Sequence, residues 1–186
     1  MTPLGRRLHC RAMALIAEEI VEEWLRRHGY FTMRGIRLGV HEIDLLAVRW
    51  NRDQAVECRH LEVQVSMRPV SFISKIPKRL QNQGRGVNSA KRTEEELIEG
   101  VREWVEKKYH LPVKTALMST LAPGPWTSEL VINNVKSEKE VEMIGAAGVK
   151  ILRLKAIVKE LLSGDLPIAR TIGGDFIELI QRGGGD

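Results

Sequence analysis

HEIDLLAV (residues 41–48) and HLEVQVS (residues 60–66) decide how this chain folds, and each carries an acid inside an apparent β-strand. Alternating apolar and polar residues predict a strand in both, and the polar run WNRDQ (residues 50–54) between them predicts a hairpin turn. A turn centred near Arg52–Asp53 pairs residues whose numbers sum to about 105 or 106. Asp44 then lies opposite Leu61 or Glu62.

The polar residues of these strands fall on one face of the predicted hairpin. Glu62 and Gln64 are two positions apart, so they project to the same side of their strand, and the predicted pairing puts Asp44 on that side too. Leu61, Val63 and Val65 project to the other side. Asp is a poor strand former and neighbouring carboxylates repel each other. A bridging divalent cation removes that repulsion, because Mg²⁺ prefers one or two carboxylates together with water and phosphate oxygens. The alternative is a polar strand face exposed to solvent.

Strands and helices alternate along the rest of the chain. The periodicity of apolar residues predicts these further elements: a helix over about 10–28, a strand or hairpin arm over 30–39, a helix over 89–110 capped at Asn88 or Ser89, a strand over 113–120, an extended segment over 129–135, a helix over 137–148 opened by Ser137, a strand over 149–156, a helical turn over 157–164 and a short helix over 174–183. Strands separated by helices imply crossovers and a mixed sheet with helices on both faces. The predicted fold class is therefore α/β.

Length and composition indicate one domain over residues 1–186, with flexible tails at about 1–8 and 183–186. A hydrophobic content of 43% and a charged content of 28% are typical of a soluble globular protein. No apolar run approaches the roughly 18 residues of a membrane span, and the N-terminus does not read as a signal peptide, so a cytoplasmic location without membrane contact is expected. Two cysteines and five histidines without ligand spacing argue against a zinc site.

The net charge of +5 is concentrated in one basic segment, residues 66–92. This segment holds seven of the 29 basic residues and no acid, which leaves 22 basic against 24 acidic residues elsewhere. Such a stretch indicates a phosphate-rich partner. The residues expected to contact DNA are Arg68, Lys75, Lys78, Arg79 and Arg85. Phe72 either stacks on an exposed base or packs the segment onto the core. The alternative is a solvated loop that is basic for solubility.

The two strands resemble the core of the PD-(D/E)XK nuclease superfamily, also called restriction-endonuclease-like. EIDLLAV, a turn and HLEVQV are similar to the family pattern of an Asp on one strand and Glu-x-Lys on its antiparallel neighbour, with Asp44 and Glu62 at the first two positions. The nearest likeness is to archaeal Holliday-junction resolvases and to Mrr-type and YraN-like proteins. The resemblance covers residues 12–66. It implies a mixed sheet with an α-β-β-β-α-β core, a Mg²⁺- or Mn²⁺-dependent endonuclease acting on branched or duplex DNA, and, by analogy, a homodimer.

A third acid follows from the same resemblance. The family often places a metal-binding Glu in the preceding helix, a fixed distance before a Gly-aromatic pair. Glu18 lies eleven residues before Gly29 and Tyr30 and matches that spacing. Glu22, one helical turn further on the same face, is the reserve choice.

The sequence departs from the family at Gln64, where Lys is usual. The family's Lys orients the attacking water and offsets negative charge that develops in the transition state. Gln can hold a water by hydrogen bonds but brings no charge. The resemblance thus implies catalytic roles for Asp44, Glu62, Gln64 and Glu18, and metal binding by Asp44, Glu62, Val63 and Glu18.

Three classes of function are compatible with the sequence. The leading one is a Mg²⁺-dependent endonuclease of DNA repair, recombination or restriction. The second is a nucleic-acid-binding module of the same fold with weak or no catalysis, which the missing Lys favours. The third is a protein-interaction domain whose acids are incidental and which shows no salt-sensitive binding of nucleic acid. The sequence contains no Walker glycine loop, GxSxG elbow or CxxC pair, so nucleotide hydrolysis, serine esterase and redox functions lack support.

Overall fold

The computed structural model describes residues 3–53, 55–66 and 68–168, with side chains from residue 14 onward. The predicted helix over 174–183 and the predicted tail over 183–186 lie outside the described residues. In chain order the elements are α1 (Pro3–Arg27), β1 (Phe31–Leu38), β2 (His41–Trp50), β3 (Val56–Gln64), α2 (Lys78–Asn82), α3 (Glu94–Tyr109), α4 (Pro112–Leu121), β4 (Trp126–Ile132), α5 (Glu138–Ala146), β5 (Lys150–Arg153) and α6 (Leu154–Ser163).

The strands of the described chain form one mixed sheet in the order β1-β2-β3-β4-β5. The first three strands are antiparallel neighbours, whereas β4 runs parallel to both β3 and β5. Helices connect the parallel strands, since a parallel pair needs a crossover that a short turn cannot provide. In the hairpin, Leu45 pairs with Leu61 and Leu46 with His60, which confirms the predicted register. Continued by one residue, this register puts Asp44 beside Glu62.

Helices pack on both faces of the sheet. One hydrophobic cluster joins α1 and α6 to the sheet face that carries Leu45, Leu61 and Val63. A second cluster joins α3 and α5 to the opposite face, where Leu130 and Ile132 of β4 are fully buried. Alternate residues of each strand thus enter different clusters, as the period of two requires. The predicted α/β class with helices on both faces is confirmed.

The prediction of a strand over residues 113–120 is wrong, because this segment forms α4. Pro112 occupies the start of α4, where its missing N–H costs no hydrogen bond. Lys114 and Met118, one turn apart, are the buried residues of α4. Met118 packs with Ile43 and Leu46 of β2. A short apolar run of this length fits both periods, and here the good helix formers in it favour the helix.

The ends of the two helices that flank the second cluster follow local capping chemistry. Thr93, and not Asn88 or Ser89, caps α3, since its hydroxyl accepts the N–H of Glu96 while the Glu96 carboxylate accepts the N–H of Thr93. Ser137 caps α5, as predicted. Across the described residues, every helix is too short or too polar to span a bilayer.

Candidate active site

A cavity of about 550 Å³ opens beside the parts of β2 and β3 that carry the motif residues. Residues from α1, β1, β2, β3 and α3 line it, among them Glu18, Asp44, Glu62, Gln64 and Lys108. The four acidic and amide residues predicted from the sequence therefore come together in one cavity. Position 35 of β1, next to Asp44 across the sheet, is a glycine, and no atom lies within 4 Å of the place where a Cβ would be. The missing side chain leaves the cavity open above the carboxylate.

Asp44 is fixed by the backbone of the neighbouring strand. Its Oδ2 accepts a hydrogen bond of 2.8 Å from the N–H of Val63. Burial, followed by the negative charge of Glu62, raises the pKa of Asp44 to about 6. The Asp44 carboxylate is thus an anchored acid whose charge is only partly compensated.

Glu18 reaches the same cavity from α1. Burial raises the pKa of Glu18 to about 7, and the charge of Asp44 adds to that effect. Glu22, the reserve choice, points elsewhere, since its carboxylate accepts hydrogen bonds from Arg26 and Thr32, both at 2.9 Å. The geometry therefore selects Glu18 as the helix acid of this cavity.

Glu62 is in a different electrostatic state. Its side chain is 1% exposed, and it is surrounded by two lysines and a histidine. The Nζ of Lys114 lies 2.9 Å from Oε1 and that of Lys108 contacts Oε2, while His60 Nε2 lies 3.3 Å from Oε1. Burial alone would raise the pKa of Glu62, but the His60 hydrogen bond and the charges of Lys108 and Lys114 outweigh it and lower that pKa to about 2. Glu62 is therefore ionised at any physiological pH.

The two lysines were not predicted from the sequence. They are 46 and 52 residues away from Glu62, and one of them stands on the segment expected to be a strand. Lys114 is 1% exposed and also donates to the carbonyl oxygen of Lys108 at 2.8 Å, so it ties α4 to the last turn of α3. Had residues 112–121 been predicted as a helix, Lys114 would have been expected on the same face as Met118, which is buried.

The basic segment leaves the sheet directly after Gln64 and is anchored to the core. Val70 forms an isolated parallel bridge with Val135, and Ile73, Ser74 and Ile76 are buried. The buried carboxylate of Glu140 accepts the N–H groups of Ile73 (2.7 Å) and Ser74 (2.9 Å) and the Ser74 hydroxyl. The segment is therefore part of the folded unit.

The five cations expected to contact DNA fall into two groups. Arg79 and Arg85 are paired with Glu99 and Glu96 of α3, at 3.2 and 2.8 Å. The exposed cations Arg68, Lys75 and Lys78 point into solvent. Phe72 packs within the protein, with the Arg92 guanidinium 4.0 Å from the centre of its ring.

Among the described residues, no three His, Cys, Asp or Glu side chains form a complete metal-binding group. The donors of the cavity nevertheless suit a hard cation that keeps water and phosphate ligands. Asp44 and Glu18 are adjacent acids with raised pKa values, and a cation between them would relieve both burial and repulsion. Both oxygens of Glu62, in contrast, already contact lysines.

Comparisons with known proteins assign no family to the chain. No family model matches the sequence, and no curated protein matches it. Among solved structures, the chain is similar to the "Crystal Structure of Protein of Unknown Function AF1548", with 16% sequence identity, a TM-score of 0.43 and coverage of 89% of this chain and 76% of that chain. At this level of similarity neither a fold family nor a function transfers.

Proposed function

We propose that this chain is a metal-dependent DNA endonuclease of the PD-(D/E)XK type, with a restriction-endonuclease-like fold. The observation that carries the proposal is the single cavity that gathers Glu18, Asp44, Glu62 and Gln64 from α1, β2 and β3. Like charges on neighbouring strands destabilise a sheet, and acids with perturbed pKa values are concentrated at functional sites. The basic segment begins two residues after Gln64 and supplies the cations for a phosphate backbone. A cytoplasmic location and a homodimer belong to the same proposal.

Asp44, Glu18 and the backbone of Val63 are the groups that would hold Mg²⁺ or Mn²⁺ in this cavity, and Glu62 would join them by exchanging its contact with Lys108 for the metal. The N–H of Val63 points to Asp44, and the carbonyl of a strand residue lies on the same side as its N–H. When bound, the metal polarises the scissile phosphodiester and lowers the pKa of a water.

Gln64 and the basic segment have separate tasks in this proposal. The Gln64 amide can orient a water in the cavity by donating and accepting hydrogen bonds. Lys75 and Lys78, exposed on the anchored segment, neutralise phosphates and fix the orientation of the DNA. Arg79 and Arg85 contribute less, because α3 already compensates their charges.

A second candidate is a DNA-binding module of the same fold without cleavage. The observation that favours it is the state of Glu62, whose two oxygens are occupied by Lys108 and Lys114. With the neutral Gln64 beside it, the charge of Glu62 is compensated without a metal. In this candidate the basic segment binds DNA and the cavity has no reaction to perform.

Cleavage by the full chain separates the two candidates. We expect cleavage of branched or duplex DNA with Mg²⁺ or Mn²⁺, none with EDTA, and a loss of at least about 100-fold in Asp44→Asn. Asp53→Asn, in the exposed turn of the hairpin, is the control and should cut like the wild type. An Asp44→Asn protein that cuts normally would show that the site is wrong. Salt-sensitive DNA binding without any cleavage would support the second candidate, and the absence of both would support an interaction domain.

A further inference from the structure

Lys108 lies where the cavity meets α3. Its Nζ contacts Oε2 of Glu62, and its side chain is 34% exposed, so it reaches solvent as well as the buried carboxylate. It lines the same cavity as Asp44 and Gln64, one helical turn after Trp104, which also lines the cavity. Lys108 therefore connects the motif carboxylate with the space that a substrate would occupy.

Of the other cations near Glu62 and Asp44, Lys114 and Arg34 are engaged with other groups, whereas Arg37 lines the cavity from β1 and is exposed. Lys114 is fully buried, and its Nζ is shared between Glu62 and the carbonyl of Lys108. Arg34 lines the cavity, but its guanidinium lies 3.3 Å from both Glu19 and Glu22. Among the cations that line the cavity, Lys108 contacts Glu62 directly and is also partly exposed.

Phosphodiester hydrolysis builds negative charge on the phosphate oxygens, and a fixed cation at that point lowers the barrier. Gln64 brings no charge to the strand position that faces this space. We propose that Lys108 supplies this charge from α3 and contacts the reacting phosphate directly. A lysine on a helix then provides the positive charge that Gln64 on the strand does not. The inference rests on the proposed nuclease function and adds a catalytic residue to it.

The test uses three variants of the full chain on the DNA substrate that the wild type cuts best. Lys108→Met removes the charge and keeps the length of the side chain. Gln64→Lys combined with Lys108→Met moves the charge to the strand. Lys107→Met, at the exposed neighbouring position, is the control. Each protein is assayed under single-turnover conditions with Mg²⁺ or Mn²⁺, its DNA affinity is measured in EDTA, and its thermal midpoint is measured without metal.

We expect Lys108→Met to lower the single-turnover rate by about 100-fold or more while DNA affinity changes by less than about threefold. The double variant should cut at least about tenfold faster than Lys108→Met, and Lys107→Met should behave as the wild type. A merely structural lysine predicts a lower thermal midpoint with an unchanged rate below it. If Lys108→Met does not fold, Lys108→Gln replaces it, because glutamine also removes the charge and can still contact Glu62; a folded Lys108→Gln protein that cuts at the wild-type rate overturns the inference, and a slow one with unchanged DNA affinity supports it.

The role of Lys108 and the nuclease function can be refuted separately. A wild-type protein that cuts, together with a Lys108→Met protein that cuts equally well, overturns the role of Lys108 and leaves the nuclease function intact. A wild-type protein that does not cut with either metal overturns the nuclease function and the role of Lys108 with it.

Discussion

Asp44 and Glu62 face one cavity from neighbouring strands but are held in opposite electrostatic states. Burial and repulsion raise the pKa of Asp44 to about 6, whereas His60 and two lysines overcome burial and lower the pKa of Glu62 to about 2. The difference follows from location, since α3 and α4 bring their lysines to Glu62 and the space beside Asp44 is open. Neutralising these two acids should therefore change stability in opposite directions.

Asp44→Asn should stabilise the metal-free protein at about pH 7.5 by about 1–2 kcal/mol. The change removes a charge that burial disfavours, and the amide oxygen can still accept the N–H of Val63. Because the folded-state pKa lies above the unfolded value, the wild type loses stability as pH rises from about 4 to about 6, and the variant should lose less. Urea unfolding across this window measures the effect. Identical pH profiles for the two proteins would contradict the raised pKa.

Glu62→Gln is the opposite case and should lower the free energy of unfolding by about 3 kcal/mol or more. Its loss leaves the charge of Lys114 buried without a counter-ion. Glu19→Gln is the comparison, because Glu19 is exposed in its pair with Arg34. Its free energy of unfolding should stay within about 1 kcal/mol of the wild-type value.

At the residue scale, the sequence is informative only about near neighbours. The register that brings Asp44 and Glu62 together depends on one hairpin and follows from its alternation and turn. Lys108 and Lys114 reach Glu62 through packing of α3 and α4 on the sheet, and no local pattern contains that information.

At the element scale, most of the fold was predictable, but α4 was predicted as a strand and the short helix α2 was not predicted. Long amphipathic segments such as α3 and strongly alternating strands such as β2 have one clear period. Residues 113–120 form a short run with β-branched and helix-forming residues mixed, so periodicity alone does not distinguish the two structures. The contact of Met118 with the sheet, which favours the helix, is visible only in three dimensions.

Gly100 tests how closely the basic segment is joined to α3. A Cβ at this position would lie 2.6 Å from the carbonyl oxygen of Lys75, which is a backbone atom that cannot turn away. Gly100→Ala should therefore destabilise the protein by about 1–3 kcal/mol, although alanine favours helices by about 1 kcal/mol over glycine.

Gly145→Ala on α5 is the matched control, because the nearest atom to its Cβ is 4.0 Å away. This variant should be neutral or slightly more stable in the same urea titration. If the two variants have equal stability, the basic segment is free to move away from α3. A loosened segment should also exchange the amide hydrogens of Ile73 and Ser74 faster in Gly100→Ala, since Glu140 holds both in the wild type.

At the scale of the whole molecule, the positive charge is segregated but partly neutralised. The sequence shows seven cations and no acid between residues 66 and 92. The fold lays this segment along α3, whose Glu96 and Glu99 pair with Arg85 and Arg79. The charge that remains for a partner is therefore smaller than the sequence suggests, and it lies on the exposed cations Arg68, Lys75, Lys78 and Lys91.

Replacing Lys75 and Lys78 together by glutamine should weaken the binding of all DNA sequences alike. Both side chains are exposed on a segment that the core holds in place, so each can neutralise a phosphate without a rearrangement of the backbone. The slope of log affinity against log salt concentration should become shallower by up to about 0.9 for each phosphate that the protein no longer neutralises. Titrations in EDTA at several salt concentrations measure the slope without cleavage.

The control replaces Lys155 and Lys159 of α6 by glutamine. This change removes the same charge from the other face of the sheet, on which α1 and α6 pack. It should lower affinity slightly through the net charge and leave the slope nearly unchanged. Equal slopes for the two double variants would mean that DNA does not follow the basic segment. A slope that falls only for Lys75 and Lys78 would assign the binding face to the side of the sheet on which α3 lies.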